Sequence, residues 1–368
     1  MKKLGYGLMR LPHVEGSEEL DVEKVKDLVD VFMQRGFTYF DTAYVYTGSE
    51  NAFKEAVVKR YPRDAYTVTN KIPVMLIKEE KELPEYFEKM LERTGVDYFD
   101  YVWLHAIGDS RYPMLKEIHA FEYLKALKDS GKARHIGFSF HGTPECLDTI
   151  LNEQPCVEYV QLQINYLDWE DYEVQSRRCY EVATAHHKPV IVMEPVKGGT
   201  LANVIEPVEK MFKEKDPNAS MASWAIRFVA SLDNVMVVLS GMSDEAQVED
   251  NTTYMENFQP LSEDEMQMVL KAGDIIRNTI TVPCTACHYC TDTCPMNIAI
   301  PDYFALYNKV KQLNRFDGRM KREFNKIAEE HGKPSDCIQC GTCESMCPQH
   351  INIRQFLEDI ADELESKL

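Results

Sequence analysis

The chain has 368 residues, 44% of them hydrophobic and 27% charged, with 17 Gly and 17 Pro. That balance excludes a collagenous, low-complexity or largely disordered protein, and the length allows one large domain with a smaller one beside it. Lys and Arg number 41 against 60 Asp and Glu, a formal charge of −19, which disfavours nucleic acid and anionic membranes as partners and leaves small molecules and proteins.

The opening MKKLGYGLMRLP has no apolar stretch behind its two lysines, and no apolar run reaches membrane-spanning length, so a cytoplasmic protein is expected. Short β-rich runs then alternate with stretches of helical period. A run at 4–10 is followed by a helical stretch near 21–35. The run 38–43 leads through Tyr44 and Tyr46 into a helix near 49–60. Runs at 66–72 and 100–105 precede helices near 80–94 and 115–130. The series ends with runs at 135–140, 160–166, 190–196 and 235–240, and helices near 145–153, 172–187, 219–231 and 244–257. Ser49 and Thr143 are placed to cap the helices that follow them. Eight strand-then-helix units in about 260 residues predict a (β/α)8 barrel. A doubly wound sheet is disfavoured by the strand number and because no G-x-G-x-x-G follows a strand.

Polar residues at the C-terminal ends of barrel strands surround an active site. The second strand ends in Asp41, with Tyr46 just beyond. The third carries Lys71, the fourth His105, the fifth Ser139, the sixth Gln161 and Asn165, the seventh Glu194 and the eighth Ser240. Asp41, Tyr46, Lys71 and His105 together form a proton-donating unit. An ammonium favours a neighbouring phenolate, so Lys71 is expected to lower the Tyr46 pKa from its ordinary value near 10. Asp41 then holds Lys71 charged, and His105 orients a substrate carbonyl. Such a unit needs a hydride from a reduced cofactor while the carbonyl oxygen takes the Tyr46 proton. Singly, each residue has an ordinary reading as packing, a solvated charge or a helix cap. The specificity lies in finding all four at the ends of three consecutive strands.

After about residue 272 the strand pattern stops, which divides the chain into 1–272 and 273–368. Eight of the 11 cysteines crowd into this second part, a pattern that argues for metal ligation in a reducing compartment. Cys284-x2-Cys287-x2-Cys290-x3-Cys294-Pro is followed by Cys337-x2-Cys340-x2-Cys343-x3-Cys347-Pro. Three thiolates at this spacing wrap a cubane, while the fourth, before Pro, completes the neighbouring site. One [4Fe-4S] cluster is therefore predicted on Cys284, Cys287, Cys290 and Cys347, and a second on Cys337, Cys340, Cys343 and Cys294. Structural zinc gives no reason for the third Cys or for the Cys-Pro, twice over. The segment resembles bacterial-type two-cluster ferredoxins, with a long insert of helical stretches at 302–313 and 315–331. Cys146, Cys156 and Cys179 read as ordinary free thiols.

Residues 1–260 resemble aldo-keto reductases. The likeness rests on Leu4-Gly5-Tyr6-Gly7, the Asp41 to Tyr46 segment, Lys71, His105, Gly137-Phe138-Ser139, Gln161 and the stretch 240–251; with the cysteine motifs added, it is to the iron–sulfur branch of that family. The resemblance implies an α/β chain, a TIM barrel followed by a small, mainly helical ferredoxin-type domain, with Asp41, Tyr46, Lys71 and His105 as catalytic tetrad. It also implies a site for NAD(H) or NADP(H): Gly7 near the first strand, Ser139 and Gln161 under the carboxamide, Glu194 after the seventh strand, Ser240 and Gly241 after the eighth, and Asp250 and Asn251 toward the adenine. The family commonly stacks an aromatic ring where Glu194 and Pro195 stand here. Its NADPH-preferring members carry basic residues where this chain has Gly241 and Gln247, with Asp244 and Glu245 between them. A 2′-phosphate gains no charge-assisted bond there and meets two carboxylates, which favours NADH.

The expected substrate is a small carbonyl or alcohol, in a pocket shaped by Tyr44, Trp169 and residues 107–113. A nicotinamide gives two electrons at once and a cubane takes one, and a flavin is the usual intermediary. Three readings follow: a carbonyl reductase whose ferredoxin part is structural or serves a redox protein partner, a flavin-mediated enzyme passing electrons between substrate and clusters, or a non-catalytic carrier with the barrel as docking scaffold. The intact tetrad favours an oxidoreductase coupled to the clusters. Two oxygen-sensitive clusters further imply an anaerobic or facultative host.

Overall fold

A computed structural model describes residues 2–171, 174–313 and 316–368. Eight parallel strands close into a barrel in sequence order: β1 (Leu4–Gly7), β2 (Tyr39–Asp41), β3 (Thr67–Ile72), β4 (Phe99–Ile107), β5 (Ala133–Phe140), β6 (Tyr159–Gln163), β7 (Val190–Met193) and β8 (Val235–Ser240). The last pairs back on the first, Leu4 opposite Val238. Outside lie α1 (Val22–Gln34), α2 (Ser49–Phe53), α3 (Glu82–Thr94), α4 (Tyr112–Glu117), α5 (Ala120–Asp129), α6 (Pro144–Glu153), α7 (Ser176–Ala185), α8 (Glu206–Lys215), α9 (Met221–Ala230), α10 (Glu245–Glu256) and α11 (Glu263–Arg277). The (β/α)8 expectation is met. Helix α1 illustrates how each helix is fixed. Asp21 caps it by accepting from Lys24 N at 3.0 Å, and Val25, Leu28, Val29 and Phe32 bury one face, each worth about 1.5–3 kcal/mol.

Local departures have local causes. Thr143 caps α6, accepting from Cys146 N at 3.2 Å, but Ser49 caps nothing. Gly48, at φ 73°, takes the N-cap position of α2, and the Ser49 hydroxyl sits 2.7 Å from that of Thr42. The stretch near 115–130 is two helices, broken where His119 turns to φ 52°. β1, β6 and β7 stop short of the expected runs, so Arg10, Asn165 and Glu194 fall in loops at the mouth. Asn165 turns its loop by accepting from Leu167 N and Asp168 N at 3.1 and 2.9 Å.

Alternation along the strands positions the site. Tyr39, Tyr101, Trp103, Ile191, Val237 and Leu239 fill the barrel interior. Side chains two residues apart share a face, so Asp41 follows Tyr39 upward, His105 follows Trp103, and Gln161 follows Tyr159. Gly137 makes room for this plug: a Cβ there would stand 2.2 Å from Tyr159 O and 2.7 Å from the Trp103 ring.

The remaining helices, α12 (Tyr289–Asp292), α13 (Ile300–Leu313), α14 (Gly318–Glu330), α15 (Thr342–Met346) and α16 (Ile353–Glu363), surround a second core that includes Tyr303, Phe304, Phe324, Leu357 and Ile360. Helix α11 runs past residue 272, and the barrel core extends to Ile276 while the second core begins at Val282. This smaller domain sits on the strands' C-terminal ends, with Arg10 donating to Thr285 O at 3.1 Å and His350 meeting His141 O at 3.0 Å. Among the described residues no helix is long and apolar enough to cross a membrane.

Candidate active site

At the mouth, Lys71 Nζ donates to the Asp41 carboxylate, to Thr42 O at 3.0 Å and to the Tyr46 hydroxyl at 3.4 Å. Gln161 Nε2 donates to the other Asp41 oxygen at 3.2 Å. The Tyr46 and His105 rings meet edge to face, centroids 5.9 Å apart. Asp41, Lys71 and His105 are buried, at 3%, 1% and 4% exposure, and His105 Nδ1 has no partner among the described residues.

Burial dominates the electrostatics. It holds the Tyr46 phenol well above its ordinary range, and the Asp41 and Glu194 carboxylates push the same way while Arg10 opposes them. The expected lowering by Lys71 is thus overturned, since that ammonium is engaged by Asp41 and desolvation outweighs it. The phenol is kept protonated, as a proton donor requires. Burial also draws Lys71 down and Asp41 up, each resisted by their contact. His105 lies well below the usual imidazole range, through burial first and then Lys71, His141 and Arg111, so it is neutral at physiological pH.

Gly7, Gln161, Glu194 and Gly241 join Asp41, Tyr46 and His105 around a cavity of about 90 Å3. The other residues that the resemblance assigns to the cofactor do not line this cavity. Ser139 Oγ accepts from Ala106 N at 2.7 Å, Asn251 Nδ2 donates to Ser240 Oγ at 2.8 Å, and Asp250 accepts from Ser220 Oγ at 2.6 Å. Tyr44 packs on Tyr86 and Arg93, and Trp169 on Tyr180 and Phe228, so neither lines the cavity. Residues 107–111 line an adjoining space of about 390 Å3, which shares His141, Tyr289 and Pro348 with the first.

The roof of the cavity has no signature in the sequence. Thr285, Cys287, Tyr289, Pro348 and Gln349 of the smaller domain close the cavity from above. Arg10 bridges its rim to Glu194 at 3.3 Å. Beside it, Gln163 and Gln349 exchange hydrogen bonds at 2.8 and 2.9 Å, and Lys197 Nζ donates to Asp168 at 2.6 Å and to Gln349 at 2.9 Å. No spacing pattern marks these residues, because the fold joins them from distant parts of the chain.

Cys290 feels the charge of Cys284, Cys287 and Cys347, and Cys294 lines a small hollow with Cys337, Cys340 and Cys343. Burial pushes the Cys284 and Cys290 thiols up to about 12, so ligation as thiolates releases protons. Among the described residues no three His, Cys, Asp or Glu converge on a single-ion site; two sets of four thiols suit iron–sulfur clusters.

Asp41, Tyr46, Lys71 and His105 thus stand together at the mouth of a parallel eight-stranded barrel. Residues 3–274 match the Aldo/keto reductase family and residues 283–351 match a 4Fe-4S dicluster domain. The chain therefore belongs to the aldo/keto reductase family and carries a ferredoxin-type domain behind its barrel. A 9,11-endoperoxide prostaglandin H2 reductase of Trypanosoma cruzi (strain CL Brener) is 23% identical over 272 residues, 73% of this chain and 87% of the relative. Among solved structures, the holo form of aldo-keto reductase AKR11C1 from Bacillus halodurans matches with TM-score 0.61 and 22% identity, over 73% of this chain and 91% of its own. An aldo-keto reductase from Klebsiella pneumoniae in complex with NADPH matches with TM-score 0.59 and 17% identity, over 75% and 91%. These structural likenesses bear on the fold alone.

Proposed function

We propose that the chain interconverts a small carbonyl compound and its alcohol in the cavity between the barrel and the ferredoxin-type domain. Tyr46 donates the proton to the carbonyl oxygen. Lys71, held by Asp41, keeps the phenol aimed, and the neutral His105 offers an N–H to the same oxygen. The observation that carries this reading is the Tyr46 hydroxyl, 3.4 Å from Lys71 Nζ, on a cavity it shares with His105.

The residues present fit the nicotinamide end of NAD(H) or NADP(H). Gln161 Oε1 and Glu194 Oε2 are buried acceptors without a partner among the described residues, as a carboxamide N–H2 requires, and Gly7 and Gly241 leave backbone exposed beside them. When bound, reduced nicotinamide supplies hydride to the carbonyl carbon. Beyond β8, Asp244 caps α10 by accepting from Gln247 N at 2.9 Å, and the Arg10 guanidinium is turned to Glu194. That setting supports NADH over NADPH, and comparable affinities in a binding titration would remove the preference.

The eight motif cysteines would hold two [4Fe-4S] clusters, which exchange electrons singly. Cys340 is exposed, and Ile338 and Met296, 59% and 37% exposed, flank that second site; this is the side a redox protein partner would reach. Anaerobically prepared full chain, with its iron counted, tests the proposal. Tyr46→Phe is expected to slow NADH-dependent carbonyl reduction by about 10²–10⁴-fold while NADH binding persists, and unchanged turnover would assign the proton to another group.

A further inference from the structure

The loop leaving β7 holds unusual backbone. Lys197 lies at φ 45°, followed by Gly198 at 62° and Gly199 at 97°, a region in which a side-chain-bearing residue persists only where its surroundings fix it. The surroundings here are the smaller domain. A Cβ on Gly198 would stand 2.3 Å from Thr285 O, so the loop is pressed against the residue that follows Cys284. The turn buries Lys197 at 1% exposure, its Nζ shared between Asp168 and Gln349, and Gln349 lies two residues after Cys347. One ammonium of the barrel is thereby fixed beside two thiols of the first site, and both thiols feel its charge.

Reduction of an iron–sulfur cluster adds one negative charge, and a buried cation nearby stabilises the more negative state. The arginine at the second site, Arg354, pairs with Glu344 at 2.9 Å as Lys197 pairs with Asp168, but it is partly solvated where Lys197 is buried. We propose that Lys197 is a positioning residue that raises the reduction potential of the cluster on Cys284, Cys287, Cys290 and Cys347, so that an electron is retained beside the catalytic cavity. The role rests on the two-cluster reading above, and Asp168 counters it.

Full-length chain, prepared anaerobically with its iron counted, is titrated through reducing potentials while the two cluster signals are followed by electron paramagnetic resonance. Lys197→Met is expected to lower the first cluster's potential by about 59 mV or more, a tenfold change in a one-electron equilibrium. Asp168→Asn is expected to raise it, with the second cluster unmoved in both. A merely structural role would move both variants the same way. Both clusters present and both potentials unchanged overturns the role of Lys197 alone. A first site without a cluster in the unaltered chain overturns the two-cluster reading and this role with it. Where Lys197→Met fails to assemble the first site, the direction of the Asp168→Asn shift decides.

Discussion

Beneath the barrel mouth, strand-borne polar side chains of the site stand on a filled interior: Asp41 over Tyr39, His105 over Trp103, both supports at 0% exposure. In the smaller domain the motif cysteines stand on loops and one-turn helices, with Cys290 and Cys343 packed into the core that α13, α14 and α16 build. The first region is ordered by burial and sheet hydrogen bonds before any ligand arrives. The second has burial but no sheet hydrogen bonds at its motifs, and Cys340 is exposed, so cluster binding and the folding of that part are expected to be coupled.

The harshest way to break the contrast is to remove the iron. Chelation under reducing conditions is expected to expose the chain beyond 282 to protease while the barrel stays resistant, and equal resistance of both parts would abolish the distinction. Cys347→Ser should disturb the cluster carried by Cys284, Cys287 and Cys290; spectroscopy placing the loss on the Cys337 motif would refute the crossed ligation. Within the preformed region, Tyr46→Phe should cost about 10²–10⁴-fold in turnover with the melting temperature unmoved. At the seam, Gln349→Ala strips an acceptor from Lys197 and leaves Gln163 without the two bonds it exchanges with Gln349, its bond to Asp168 remaining. A penalty of about 1–3 kcal/mol is expected, read as faster hydrogen exchange at 197–199, and unaltered exchange would deny that this contact docks the domains.

The gentlest test is acid. His105 is held neutral in the fold, while in the unfolded chain it binds a proton near pH 6.5. The unfolded state therefore carries the extra proton, and stability should decline as pH falls below about 6.5, by about 1.4 kcal/mol per unit from this one group. His105→Asn should flatten the dependence of melting on pH by that amount, and an identical slope would mean the imidazole is charged in the fold.

Much of this geometry was readable from residue order. Strands buried on both faces leave continuous apolar runs, and a two-residue step from Trp103 to His105 carries a side chain from plug to mouth. The cysteine spacing needed no fold at all. Signs and partners were harder. The direction of the Tyr46 shift depends on how dry the site is, which no motif records. Ser139 and Ser240 at strand ends and Asp250 and Asn251 on α10 each meet a neighbour in the fold, Ala106 N, Asn251, Ser220 and Ser240 in turn, contacts that no motif records. Helices α8 and α11 escaped a reading that allotted one helix to each strand, although Ser262 and Glu265 form a capping box at the start of α11. Tyr289, Lys197 and Gln349 matter through contacts that span more than a hundred residues of chain.

The cavity's ceiling comes from two stretches, Thr285 to Tyr289 beside one cysteine motif and Pro348 with Gln349 beside the other. A chimera that kept this barrel but received a foreign ferredoxin module would lose both ring and amide, leaving the chamber open to water and the Lys197 ammonium short of an oxygen. The two halves are thus a matched pair, to be inherited or transplanted together.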